Sequence, residues 1–507
     1  MAFNQGTDKD TTLAFQGNPI RHPDTMDFAG DYSLTEIALI NHQGEAIDIK
    51  LLVQELNIYE SIYNNAVTGT VVITDAVNLI NNLPIQGTER LAFKLKTPGT
   101  QESEDLIDCT EETGHPMHIF KLTHRQQLDQ DVQMYILHFA SREFMRNMRT
   151  KVSKSYTGTL DTMVNSIMSD KDGIDSRKKV TTQKTRNSDK IVIPNKQPFD
   201  AIAMLCKKAL ADNSKSVGYH FYETTKGFQF RSWESMCVDS KGLPRIAKQK
   251  FEYKPVNTGD PKGMEGPTNK YEKQDKKLDV LGSVLEYKFL NNFHDVSANT
   301  MMGTYGHRVI THNLYNKSYK ISDYNYHNRF HESKHLDGDN PAIVDSPVDW
   351  DTADDSTDRH KNVSDYPESR VTVMPTTQFL HNEDTGSFGT DVENDGIFEA
   401  SRVSQANQVV AGTRLEMTVI GQSYLSAGDV VVFNHRAVDT VNSKGAVDPH
   451  YSGRYIITAI RHQVTNQEYS MILECSKDSV YQQFETKNQN RFYANPHSER
   501  PTLEETD

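Results

Sequence analysis

ELNIYESIYNNAVTGTVVITDAVNLINNLPIQGTERLAFKL, residues 55–95, is the stretch whose reading decides the fold class. Within it VTGTVVIT (67–74) and LAFKL (91–95) alternate apolar and polar side chains, the period of a strand that buries one face. Asn81, Asn82, Pro84 and Gly87 punctuate the interval between them with turn chemistry. Moving outward, IDIKL (47–51) precedes it, and residues 117–123 and 134–140 add two more strand-like runs beyond Pro98 and Gly99. Short strands at this spacing predict a closed or sandwich-like antiparallel unit, a first β-barrel over residues 31–141.

The period then changes. Leu160, Met163, Val164, Ile167 and Met168 fall on one helical face behind Thr159, a candidate N-cap. A second helix is expected from Pro198, where proline suits the first turn, with Phe199, Ile202, Leu205, Cys206 and Ala209 as its buried stripe. Next, Tyr219, Phe221, Phe228 and Phe230 alternate around Thr224-Thr225-Lys226-Gly227, the pattern of a hairpin with an aromatic face. Strand-like sequence follows at 280–289. From Ile397 to Val480 strand signals return, with 415–419, a Gly428-Asp429 turn into 430–433, then 455–460 and 469–475.

The expected fold is therefore α+β and β-rich, with two antiparallel β-barrel domains flanking a helix-containing middle domain. An extended N-terminal arm occupies 1–30, and the α+β middle domain occupies 142–396 with long polar insertions at about 252–277 and 337–395. The second β-barrel covers 397–480 and a polar tail 481–507. That tail is too poor in apolar residues to order itself alone.

Composition narrows the function. Of 507 residues, 36 % are hydrophobic and 24 % charged, which is polar but sufficient for several cores. The net charge of -14 disfavours a broad phosphate-binding surface. No window approaches the roughly 18 apolar residues of a membrane span, and MAFNQGTDKDTTLAF lacks the flanks of a signal peptide, so a soluble chain made in the cytosol is expected. Cys109, Cys206, Cys237 and Cys475 form no C-x-x-C pair and are expected as free thiols.

Three stretches together resemble the central baseplate hub protein of contractile-tailed bacteriophages, a family related to the hub part of type VI secretion VgrG spike proteins. Residues 55–95 resemble its opening barrel. KQPFDAIAMLCKKAL followed by VGYHFYETTKGFQFRSWESM (196–236) is similar to its helix-then-hairpin, and YLSAGDVVVF with SGRYIITAIRHQVTNQEYSMILEC (424–475) resembles its second barrel.

The resemblance implies a homotrimer whose duplicated barrels form a pseudo-sixfold ring, a symmetry adaptor between a sixfold tail tube and a threefold spike. It further implies a central spike protein on one face, a tube initiator or tube protein on the other, neighbouring baseplate wedge proteins, and a channel for DNA ejection. The place implied is the virion tail, assembled in the host cytoplasm. By the same reading the chain is no enzyme, holds no cofactor, and has no catalytic, cofactor-binding or metal residues.

One chemical string competes with that reading. His331-Glu332-Ser333-Lys334-His335 matches H-E-x-x-H, which on a helix would set two imidazoles on one face for zinc with a glutamate beside the bound water. Lys334 inside the string and Gly338 and Pro341 just after it argue against such a helix, and no third ligand follows from spacing, so a zinc-dependent envelope hydrolase stands as an alternative. His327 extends the histidine group as a structural metal possibility. Asp351, Asp354, Asp355 and Asp358 lack the ordered acidic loop of a calcium site. The aromatics at 219–233, including Tyr222 and Trp233, could stack a sugar in a carbohydrate-binding tail protein, although core packing beneath a helix is their commoner use.

Overall fold

The computed structural model is described for residues 26–480, apart from 27, 29, 83–84, 101–105, 187, 213, 215, 254–279, 291–294, 315–316, 339, 344–362, 376–394, 436–446 and 449. Its framework is one sheet of 14 strands. The path starts at Val284–Phe289, passes through Thr413–Ile420, Tyr469–Lys477 and Gly453–Thr465, and crosses to Val53–Ser61. It continues through Thr68–Asp75, Val132–Ala140, Met117–Asp129, Arg90–Lys96 and Ser33–Ile40 to Ala46–Asp48. Pairing along this path is antiparallel, and Gln249–Glu252 joins Val430–Asn434 in parallel at the side.

The alternation read at 67–74 and 91–95 becomes the strands Thr68–Asp75 and Arg90–Lys96. Val71, Ile73, Leu91, Phe93 and Leu95 point into one core that also takes Leu415, Phe433, Ile457 and Leu473 from the far end of the chain. Each such side chain contributes about 1.5–3 kcal/mol on burial. Gly69 has a steric reason, because a Cβ there would lie 2.1 Å from the Phe139 ring and 2.3 Å from the Asn57 carbonyl oxygen.

The β-rich α+β class holds, but the expectation of two closed barrels is corrected. Among the described residues no sheet closes on itself, and the two strand-rich regions share one sheet. Val53–Ser61 pairs on one side with Thr68–Asp75 and on the other with Gly453–Thr465, Ala459 facing Ser61 and Thr465 facing Glu55. Each region thus satisfies the other's edge, and neither needs to curl back on itself to do so.

Leu160–Met168 buries the five residues of its sequence stripe, although Thr159 makes no side-chain capping bond. Pro198–Cys206 begins on its proline. It lies over the hairpin Tyr219–Thr224/Gly227–Ser232, with the Phe199 and Phe221 rings 5.8 Å apart and Phe221 stacked on Phe228 at 5.5 Å.

Two further readings are corrected. The segment from Ile397 does not open with strand: Asp395–Ala411 is a helix of 17 residues. Within the insertion read as polar connection at 337–395, Val371–Pro375 is a strand running parallel to Gly306–Asn313, which also pairs with Ser318–Asn325. The long helix covers one face of this three-stranded sheet, where Ala400 packs with Tyr305, Val309 and Tyr324. The helix Arg142–Arg149 was also not foreseen. No helix among the described residues is long and apolar enough to cross a membrane.

Candidate functional site

The H-E-x-x-H string does not form the arrangement that zinc chemistry needs. Asn325 caps the short helix Tyr326–Phe330 by accepting from the Asn328 N–H, and the helix ends at His331. His331 and Glu332 are exposed, whereas the His335 side chain is buried, so the two imidazoles do not share a helical face. His335 stacks on Phe330 at 3.7 Å, with Nδ1 2.9 Å from Asp478 Oδ2 and Nε2 2.8 Å from the Phe330 carbonyl oxygen. Both ring nitrogens face acceptors, an arrangement that the imidazolium form satisfies. Asp478 also accepts from Trp233 Nε1 at 3.1 Å and from the Leu336 N–H at 3.2 Å. Burial works to raise the Asp478 pKa, but His335 and these donors hold it below its ordinary value.

The string is thus the start of a strap. Beyond His335, Asp337 pairs with Lys477 Nζ at 3.0 Å, both side chains fully buried, and accepts from the Arg454 N–H at 3.1 Å. Lys477 also donates to the Ser452 carbonyl at 2.7 Å, and Val480 donates its N–H to the Asn340 carbonyl. His327 contacts Ser364 Oγ and the Ile343 carbonyl through its two ring nitrogens. Among the described residues no group of three or more His, Cys, Asp or Glu is placed to hold a metal ion, and the acidic run Asp351, Asp354, Asp355 and Asp358 lies outside them.

The aromatic hairpin presents no stacking platform. Tyr219, Phe221, Tyr222, Phe228, Phe230 and Trp233 are all buried, which removes the sequence basis for sugar binding there. Its turn is a wedge between the two strand-rich regions. Glu60 accepts from the Thr225 N–H at 2.8 Å and the Ala427 N–H at 3.0 Å, and Lys226 Nζ donates to the Tyr424 carbonyl at 2.6 Å. Glu223 accepts from the Val67 N–H at 2.8 Å and from Lys178 Nζ at 2.5 Å, with Glu143 3.7 Å from the same ammonium. Burial pushes the Glu60 and Glu223 carboxyls up, against backbone N–H bonds at Glu60 and the Lys178 charge at Glu223. Gly428, at φ +84°, completes the joint: a Cβ there would lie 2.1 Å from Tyr222 Oη. Sequence reading found this hairpin but not its role, because Glu60, Glu223 and Ala427 are far apart in the chain. The four cysteines are free and buried.

One exposed face gathers apolar side chains. On the side of the three-stranded sheet opposite the long helix, the register places Ile321, Ile310 and Val373 in one row, with Tyr319, His312 and Pro375 in the next. Tyr319 is 70 % exposed, Val373 68 %, Val371 52 % and Ile321 50 %. Exposed apolar side chains grouped in this way are common at contact sites between molecules.

No family model matches the chain. It is 24 % identical over 291 residues to the "Probable baseplate hub protein gp334" of Vibrio phage KVP40, a match spanning 56 % of this chain and 58 % of that protein's length. Among solved structures it is similar to the 43 kDa tail protein of prophage MuSo2 from Shewanella oneidensis, with a TM-score of 0.45, 10 % identity, and 88 % and 99 % of the two chains covered. A tail protein from Neisseria meningitidis MC58 gives a TM-score of 0.44 at 10 % identity, covering 89 % of this chain and 98 % of its own. By its sequence relationship to the Vibrio phage protein, the chain is a homologue of a phage baseplate hub protein.

Proposed function

We propose that this chain is a non-enzymatic structural hub of a contractile phage tail baseplate. It forms a homotrimeric pseudo-sixfold ring that adapts a sixfold tube to a threefold spike and leaves a channel for DNA ejection. The observation that carries the reading is the 291-residue match to a baseplate hub protein. The geometry supports it in a second way. A part that transmits force gains from rigidity, and here one sheet, the hairpin wedge and the 335–341 strap tie distant parts of the chain together. Spike, tube and wedge proteins are the partners in this reading, and the virion tail assembled in host cytoplasm is its place.

Electron microscopy of the purified chain tests it: rings of three subunits around a central channel are expected. Compact monomers at high concentration, with no rings after spike and tube proteins are added, would overturn the ring. The zinc hydrolase alternative requires stoichiometric zinc and a loss of hydrolysis in Glu332→Gln; an absence of zinc by elemental analysis ends it.

A further inference from the structure

Apart from ring formation, the molecule carries a basic cleft. The strand Val180–Thr182, the hairpin strand Gly227–Ser232 and the loop after the helix Trp233–Cys237 enclose about 600 Å³ of space. Lys184, Arg231, Lys241, Arg245 and Lys334 line it. Among the described residues none of these five is ion-paired to a carboxylate, in a chain whose net charge is -14.

The two arginines are held by neutral acceptors. Arg231 donates to Tyr222 Oη at 2.9 and 2.6 Å and to the Gly428 carbonyl at 3.2 Å. Arg245 donates through Nε to the carbonyls of Ser235 at 2.7 Å and Val238 at 3.2 Å. Burial, and then the adjacent Arg231 charge, hold the Arg245 guanidinium below its usual pKa. The charges of Asp429 and Asp239 relieve this in part, and Asp429 is shared with Lys248 at 2.8 Å and the Ser426 N–H. Of the acids of the lining, Glu234 accepts from the Lys334 N–H and Ser214 Oγ, and Asp239 from the N–H groups of Lys241 and Leu243, while Asp212 is exposed. Two guanidiniums crowded in a cleft and only partly balanced by nearby acids form a site that an added carboxylate would stabilise.

We propose that this cleft binds an acidic, Asp- or Glu-rich segment of a partner protein. A guanidinium fork matches a carboxylate in two parallel bonds, and the rim lysines Lys184 and Lys241 extend the attraction along a short peptide. A net charge of -14 disfavours the long basic surface that a continuous phosphate backbone needs, whereas a few carboxylates need only the cleft itself. The site stands independently of the ring.

The test is fluorescence anisotropy of labelled octaglutamate titrated with the full chain at low salt. Saturable binding is expected, weakened at least tenfold in Arg245→Gln and in the Lys184→Gln/Lys241→Gln double variant. The two lysines are exposed, so the double variant keeps the wild-type melting temperature, and Arg245→Lys recovers part of the affinity. Non-saturable binding, or unchanged affinity in both variants, overturns the proposal. Tighter binding of octathymidylate that is lost in the same variants also overturns it, assigning the cleft to nucleic acid.

Discussion

Replacing Asp337 by Asn should cost this protein about 4 kcal/mol. Asp337 Oδ2 lies 3.0 Å from Lys477 Nζ, and neither side chain has any exposed surface. Asparagine keeps the shape but removes the charge, leaving a buried ammonium without its carboxylate, held by neutral acceptors that include the carbonyls of Ser452 at 2.7 Å and His450 at 3.3 Å, and by the Tyr455 ring at 5.3 Å. At an effective dielectric of about 20, two unit charges 3 Å apart attract by about 5–6 kcal/mol. Removing one partner of a buried pair typically costs about 3–5 kcal/mol, so the two routes agree. Against a total stability of roughly 5–15 kcal/mol, this is a large fraction. Urea denaturation followed by tryptophan fluorescence reads the change, because the Trp233 indole, one of two in the chain, donates to Asp478 at the head of the same strap. The double variant Asp337→Leu/Lys477→Met should be more stable than Asp337→Asn alone, since the Lys477 ammonium is then no longer buried without its carboxylate. The exposed pair Arg308–Asp323 is the control, and Asp323→Asn should cost under about 1 kcal/mol. A loss below about 1 kcal/mol in Asp337→Asn, or a double variant no better than the single, would refute the reasoning.

Gly69→Ala should destabilise by about 2 kcal/mol through overlap with the Phe139 ring and the Asn57 carbonyl, read as a lower melting temperature. His335→Ala should cost about 2–3 kcal/mol by leaving Asp478 short of a partner, while exposed His331→Ala stays within about 0.5 kcal/mol. Burial lowers the His462 pKa to about 3 from 6.5, so the native state resists the proton that the unfolded state accepts. Stability is therefore lost as pH falls from 6.5 towards 3, by about 1.4 kcal/mol per pH unit from this residue; His462→Gln should flatten urea midpoints measured between pH 6 and 4 by that amount. Ile321→Lys/Val373→Lys should leave the melting temperature of the single chain unchanged and abolish rings in electron micrographs if that face is the ring contact.

The sequence was most informative where one face of an element is buried and pairing is local. The alternation at 67–74, the stripe of Leu160–Met168 and the aromatic hairpin all reappear because a single periodic pattern met a single core. Asp395–Ala411 escaped because apolar contacts at Ala400 and Val409 are interleaved with polar ones: Ser404 donates to the Thr304 carbonyl, Asn407 to the Met302 carbonyl, and Gln405 accepts from the Gly218 N–H. Val371–Pro375 escaped because its parallel partner at 306–313 lies across a long polar interval. The shared sheet could not be inferred from alternation, which says that a strand has a buried face but not which distant strand pairs with it. The basic cleft draws Lys184, Arg231, Arg245 and Lys334 from separate segments and leaves no linear motif. The most motif-like string, by contrast, proved to be a structural strap.

The pairing of Val53–Ser61 with Gly453–Thr465 also sets a timetable. Arg461 bonds Asn57 across 404 residues of chain, so the ribosome releases the first strand long before its neighbour exists. At about 5–20 residues per second the nascent chain waits on the order of 20–80 s with that edge open, ready to pair with any other strand it meets. Premature termination before residue 453 would make the delay permanent, and such fragments should collect as aggregates during expression while the complete chain stays dispersed.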